Sequence, residues 1–241
     1  MEGIAVFGKR KQEEDQQPPV PQVDWMNVRR FTIGTREREI LPERKKLVHG
    51  RCAVRVPKRD GQQDVYAPCA YFRTDIQTLI SEEPKLYEDE QAQVPLCSLD
   101  DPVEVSGERH YEVLDACGEA IGTICRIPPT NRLIHHTWRI NQPGHPEIVG
   151  RNKWSMSNPK QFALRSLESA TNLIFDAAAG GDPEGSKGRT LEWKAEEKLV
   201  MTSTGSPTLD CHLKISIKAQ WLDRRIAFAY AMLEDLPVDK W

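Results

Sequence analysis

Near its C-terminus the chain carries a segment with no polar side. Ile226-Ala227-Phe228-Ala229-Tyr230-Ala231-Met232-Leu233 follows one polar turn, Asp223-Arg224-Arg225, behind Trp221 and Leu222. A helix at a protein surface shows a polar stripe, so a helix apolar on every side has to be enclosed on every side. Eight residues span only about 12 Å, too short for a bilayer. The strand before it has the cleanest alternation in the sequence: Leu209, Cys211, Leu213, Ile215 and Ile217 on one face, Asp210, His212, Lys214, Ser216 and Lys218 on the other. A half-buried strand running into a buried helix predicts a sheet that wraps the helix.

Other segments supply that sheet. Tyr111–Asp115 and Ala120–Ile127 flank the turn Ala116-Cys117-Gly118-Glu119 as a β-hairpin. Arg132–Ile140 alternates, with Ile134, Trp138 and Ile140 on one side; Asn141-Gln142-Pro143-Gly144 then turns into Glu147–Arg151. Four strands at about ten-residue spacing make an antiparallel meander. Cys52–Val56 and Val65–Ala67 read as strands around Lys58-Arg59-Asp60-Gly61, and Thr190–Lys194 and Lys198–Thr202 as strands around Glu196-Glu197. Two more helices are expected: a short one from Asp75 through Ile80, and an amphipathic one from Asn158 to Ala179, with Asn158 as N-cap, Pro159 in the first turn and Gly180-Gly181 behind it. The fold class is mainly β (α+β): an antiparallel, barrel-like meander enclosing a hydrophobic C-terminal helix, with one additional amphipathic helix.

The hairpin Tyr111–Asp115 with Ala120–Ile124, the strand Leu213–Ile217 and the helix Trp221–Leu233 together resemble the tubby C-terminal-like superfamily, which includes the LURP-one-related and phospholipid-scramblase-like domains. The resemblance covers residues 48 to 241. It implies a closed antiparallel barrel around a central helix and, for some members, binding of phosphoinositides through basic residues. It carries no individual site residue over to this chain.

Residues 1–47 read as an extended or disordered tail. Lys9-Arg10-Lys11, Glu13-Glu14-Asp15 and Pro18-Pro19-Val20-Pro21 offer nothing from which to build a core. Residues 48–241 are then a single domain, with Glu82–Pro102 as a long acidic surface loop. Met1-Glu2-Gly3 has an early acid and no apolar stretch of the kind a secretory leader carries, so the expected location is cytoplasmic, with peripheral contact to a membrane and no transmembrane segment. The six cysteines follow no repeated spacing and read as reduced thiols.

A formal charge of −3 conceals a strong asymmetry. Glu82–Glu119 holds 12 acidic residues against two basic ones, whereas Ile121–Lys160 holds six basic residues and one acid. The candidate anion-binding residues therefore lie on the meander: Arg126, His135 and Arg139, which project to solvent if Ile134 and Trp138 face inward, and Arg151 and Lys153 beyond them beside Trp154. This pattern suits an anionic phospholipid headgroup or an acidic protein. The competing reading is that these bases pair with the acidic segment 82–119. Nucleic acid is disfavoured by a pI of 6.1. No metal or cofactor is expected, because Cys211 and His212, and likewise His135 and His136, are adjacent on strands and point apart. Two other functions stand behind lipid binding. One is a protein-interaction domain using the tail and acidic loop; the other is an enzyme in which Cys125 and His135 meet across strands, although Cys125 reads as core.

Overall fold

The computed structural model describes residues 19–40, 46–60, 63–73, 84–128, 137–152, 190–205 and 213–235. They form thirteen strands and one helix: β1 (Arg30–Ile40), β2 (Lys46–Asp60), β3 (Gln63–Phe72), β4 (Lys85–Tyr87), β5 (Pro95–Leu99), β6 (Val103–Val105), β7 (Glu108–Asp115), β8 (Ala120–Ile127), β9 (Thr137–Asn141), β10 (Ile148–Asn152), β11 (Thr190–Ala195), β12 (Lys198–Gly205), β13 (Leu213–Ile217) and α1 (Arg224–Asp235).

Twelve of the strands close into an antiparallel barrel in the order β5-β4-β3-β2-β1-β13-β12-β11-β10-β9-β8-β7, with β7 pairing back to β5. Closure removes the unpaired edges an open sheet would leave. The closing strand serves two neighbours in series: the second half of β7 meets β5 (Leu99↔Val113) and its first half meets β6 (Val103↔His110). Asp100-Asp101-Pro102 interrupts what would otherwise be one long strand, since proline cannot donate to the ladder.

The predicted enclosure of the C-terminal helix is what the fold contains. Every residue from Ile226 to Leu233 is buried. Asp223 caps the helix, its Oδ1 accepting from the Arg225 backbone N–H at 2.9 Å. The approach to α1 is held by Gln142 in the β9–β10 turn, which donates to the Trp221 carbonyl and accepts from the Asp223 N–H, both at 2.9 Å. Inside, Phe228 packs edge-on to Phe31 at 4.8 Å, and Tyr230 packs against Trp193 at 4.5 Å and Trp138 at 5.5 Å. Gly122 lets the helix approach: a Cβ there would lie 2.6 Å from Ile226 Cδ1. The polar atoms carried inward form a thread, with Trp193 Nε1 donating to Ser203 Oγ at 3.1 Å and Ser203 Oγ 3.2 Å from the Tyr230 hydroxyl.

Two expectations are corrected. The tail does not extend to residue 47, because β1 is a full member of the barrel between β13 and β2, and Val20, Val28, Phe31 and Ile33 are buried. Phe31 and Ile33 supply the inward face of a strand whose charged flanks, Arg29-Arg30 and Arg36-Glu37-Arg38-Glu39, suggest solvated chain. Where the β1–β2 register shifts after Gly34, the buried Arg55 donates from Nε to the Gly34 carbonyl at 3.0 Å, and its Nη1 donates to the Tyr66 carbonyl of β3 at 3.1 Å. The segment 82–102 is not a surface loop throughout. It contributes β4 and β5, with Leu86, Tyr87, Leu96, Cys97 and Leu99 buried. Glu88, Asp89 and Glu90 lie in the turn between those strands, where Asp89 Oδ1 accepts from the N–H groups of Gln93 and Val94 at 3.0 and 2.6 Å.

The expected strands at 111–115, 120–127, 190–194 and 198–202 are all present, as are those around 52–56 and 65–67. The expected helices at 75–80 and 158–179 and residues 1–18 lie outside the described residues, as do 132–136 and 209–212 of two expected strands. Among the described residues, Cys69, Cys97, Cys117 and Cys125 are free thiols. Among the described residues no helix is long and apolar enough to cross a membrane.

Candidate functional site

The pairing of β8 with β9 decides where the basic meander points. Arg126 is the cross-strand partner of Trp138, and Cys125 is the partner of Arg139. Cross-strand partners share a face of the sheet. Trp138 packs on Tyr230 of α1, so Trp138 and Arg126 lie on the inner side and Arg139 and Cys125 on the outer. The Arg126 guanidinium sits 5.5 Å from the centroid of the Trp138 ring, a cation–π distance. The expected joint projection of Arg126 and Arg139 into solvent is therefore corrected: the same inward turn of Trp138 that sends Arg139 outward carries Arg126 in. His135 and Lys153 lie outside the described residues.

On the outer face Arg139 is engaged by carboxylates. It bonds Glu108, which belongs to the acidic segment, and lies 3.6 Å from Glu147. Glu108 also lies 3.5 Å from His110 Nε2, and His110 Nδ1 is 3.4 Å from Cys125 Sγ. A thiol, an imidazole and a carboxylate thus stand in sequence across two strands, with His110 where the sequence suggested His135. Burial pushes the Cys125 thiol up; Arg139 pulls the other way, and Glu108 and Glu147 add to the rise. A nucleophilic cysteine needs the opposite shift.

Arg151 belongs to a different surface. Gly150 faces Trp193 inward, so Arg151 and its partner Glu192 face outward. The same row continues through Thr202 and Ser216 to Arg30, and the next row runs Thr190, Thr204, Lys214. Arg30, Arg151 and Lys214 are exposed, and the four hydroxyl residues between them are half-buried. Thr190 and Thr204 bring their Oγ1 atoms to 3.3 Å. The acid of these rows, Glu192, lies 3.5 Å from Lys194 Nζ. At about 4.8 Å per strand the five strands β10, β11, β12, β13 and β1 present a hydroxyl-rich, net positive face about 19 Å across. Sequence reasoning missed Arg30 as a site residue because it counted that residue in the tail. It placed Lys214 on an outward face, yet had no strand order that would set it near Arg151.

No family profile, curated protein or solved structure matches the chain.

Proposed function

We propose that this protein is a peripheral, non-catalytic binding module that takes phosphate-bearing lipid headgroups on the outer face formed by β10–β13 and β1. The observation that carries this reading is the run of exposed Arg30, Lys214 and Arg151 around Thr190, Thr202, Thr204 and Ser216, with Glu192 beside Lys194. Because α1 fills the barrel, recognition falls to its outer faces and rims. Hydroxyl groups donate to phosphate oxygens, and each base near an anionic membrane contributes about 1 kcal/mol. A closed antiparallel barrel around a C-terminal helix supports the tubby-like reading of the fold. Of the basic residues first considered, Arg151 stays in the proposed site, while Arg139 is held by Glu108 and Glu147.

The test is co-sedimentation with neutral and with anionic vesicles at low and at physiological salt. Binding confined to anionic vesicles and weakened by salt is expected. Absence of binding at both salt concentrations would sink the proposal.

A second reading, a protein-interaction domain, draws on β6. All three of its residues are exposed, with Val103 at 62% and Val105 at 48%, beside Asp100, Asp101 and Glu104. It predicts a partner that is retained without vesicles and released by Val103→Lys. Deletion of residues 1–18, which leaves β1 intact, tests whether the tail takes part.

A further inference from the structure

We propose a second anion site, distinct from the outer face: a phosphate-type oxyanion bound between Arg109 and Arg126 on the inner rim of the barrel. The two residues are cross-strand partners on β7 and β8. Two positions further along, their neighbours Tyr111 and Ile124 are also partners and are buried, so both guanidinium groups belong to the inner side of the sheet. Like charges set directly opposite one another destabilise a sheet pair. No carboxylate relieves this pair: neither arginine forms an ion pair among the described residues. Glu104, the partner of Arg109 on β6, is exposed and forms none with it.

Arg126 is also held in place. Its guanidinium lies over the Trp138 ring, and its Nε is buried without a hydrogen-bond partner. A buried donor left unpaired is unfavourable, and here it belongs to a cation whose neighbour is a second cation. An oxyanion between the two would answer both conditions at once, because guanidinium groups present planar donor forks that match phosphate oxygens. Trp138 fixes the depth of one fork, and the cross-strand register sets the other beside it.

The full-length chain is titrated calorimetrically with inorganic phosphate at constant ionic strength, and separately with vesicles bearing phosphomonoester headgroups. Saturable phosphate binding is expected in the unmodified chain. It should be weaker by about tenfold or more in Arg109→Gln and in Arg126→Gln. Arg126→Lys, which keeps the charge and loses the fork, should weaken it as well. Arg139→Gln, on the outer side of β9 with Glu108 and Glu147, should leave it unchanged, which confines the effect to the inner rim. Arg109→Gln should melt no lower than the parent in phosphate-free buffer, since it relieves the like-charge contact without giving up the stacking of Arg126 on Trp138. If the vesicles bind through this rim, Arg126→Gln weakens that binding too; if the ligand is a soluble phosphate, only the inorganic titration changes. Absence of saturable binding in the unmodified chain, or binding unaltered in both glutamine variants, would overturn the proposal.

Discussion

Cys125 and His110 face each other across β7 and β8 on the outer side of the barrel, Sγ to Nδ1 at 3.4 Å, with Arg139 and Glu108 over them. In outline this is the geometry of a thiol paired with a base, but burial pushes the thiol up instead of down. The expected result is slow alkylation. Cys117, exposed in the β7–β8 turn, should react with iodoacetamide well ahead of Cys125, and Cys69 and Cys97, both pushed up to about 12, should stay protected in the folded chain. Peptide mapping by mass spectrometry reads the order. Cys125 reacting first near neutral pH would restore the enzyme reading.

The thread from Trp193 through Ser203 to Tyr230 joins the helix to β11 and β12. Ser203→Ala removes the acceptor of a buried indole N–H, at a cost of roughly 1–3 kcal/mol. Tyr230→Phe removes a single hydroxyl and should cost about 1 kcal/mol. Tyr230→Ala also opens a cavity beside Trp138 and Trp193 and should cost roughly 3–5 kcal/mol. Urea unfolding midpoints should fall least in Tyr230→Phe, further in Ser203→Ala and furthest in Tyr230→Ala.

Gly122→Ala tests the closeness of the helix to the wall. The added methyl would lie 2.6 Å from Ile226 Cδ1, which can rotate away, and 2.9 Å from the Asn141 backbone oxygen, which cannot. A loss of roughly 1–3 kcal/mol is expected. Adding Ile226→Val should recover only part of it, and full recovery would show that the backbone contact is unimportant.

Asp115 holds the β7–β8 turn by accepting from the N–H groups of Glu119 at 3.0 Å and Cys117 at 2.8 Å, and these bonds keep its carboxyl below the usual carboxylate range. Asp89 is held down in the same way by Val94 and Gln93. A depressed folded value means that the stabilisation is present above the unfolded carboxyl value, about 3.9, and is lost as pH falls through the folded one. Thermal midpoints should therefore drop on acidification below about pH 4, and less steeply in Asp115→Asn. An unchanged acid limb in that variant would count against the assignment.

What could be read in the sequence was whatever had one period and one face. The helix at Ile226–Leu233 was legible because no polar residue interrupts it, and β13 because Leu213, Ile215 and Ile217 alternate with polar residues. β1, β4 and β5 were not legible. β1 and β4 each set two buried hydrophobic residues among charges, β5 is a short run led by Pro95, and the place of β1 in the barrel depends on a pairing distant in sequence, Phe31 with Ile215. The site suffered from a related ambiguity. β8 is apolar on both faces, with Gly122 and Ile124 inward and Ile121, Cys125 and Ile127 outward, so alternation alone assigned Arg126 to the wrong side. Cys125 is buried without being inside the barrel, because the outer face covers it with His110 and Arg139.

The central claim is that the outer face of β10–β13 and β1 binds anionic headgroups. Its most direct test is vesicle co-sedimentation of a triple charge reversal, Arg30→Glu with Arg151→Glu and Lys214→Glu, beside Arg139→Gln as the control on the neighbouring face. The account predicts that the triple variant loses binding to anionic vesicles while the control keeps it. Undiminished binding by the triple variant, or equal loss in both, would contradict it.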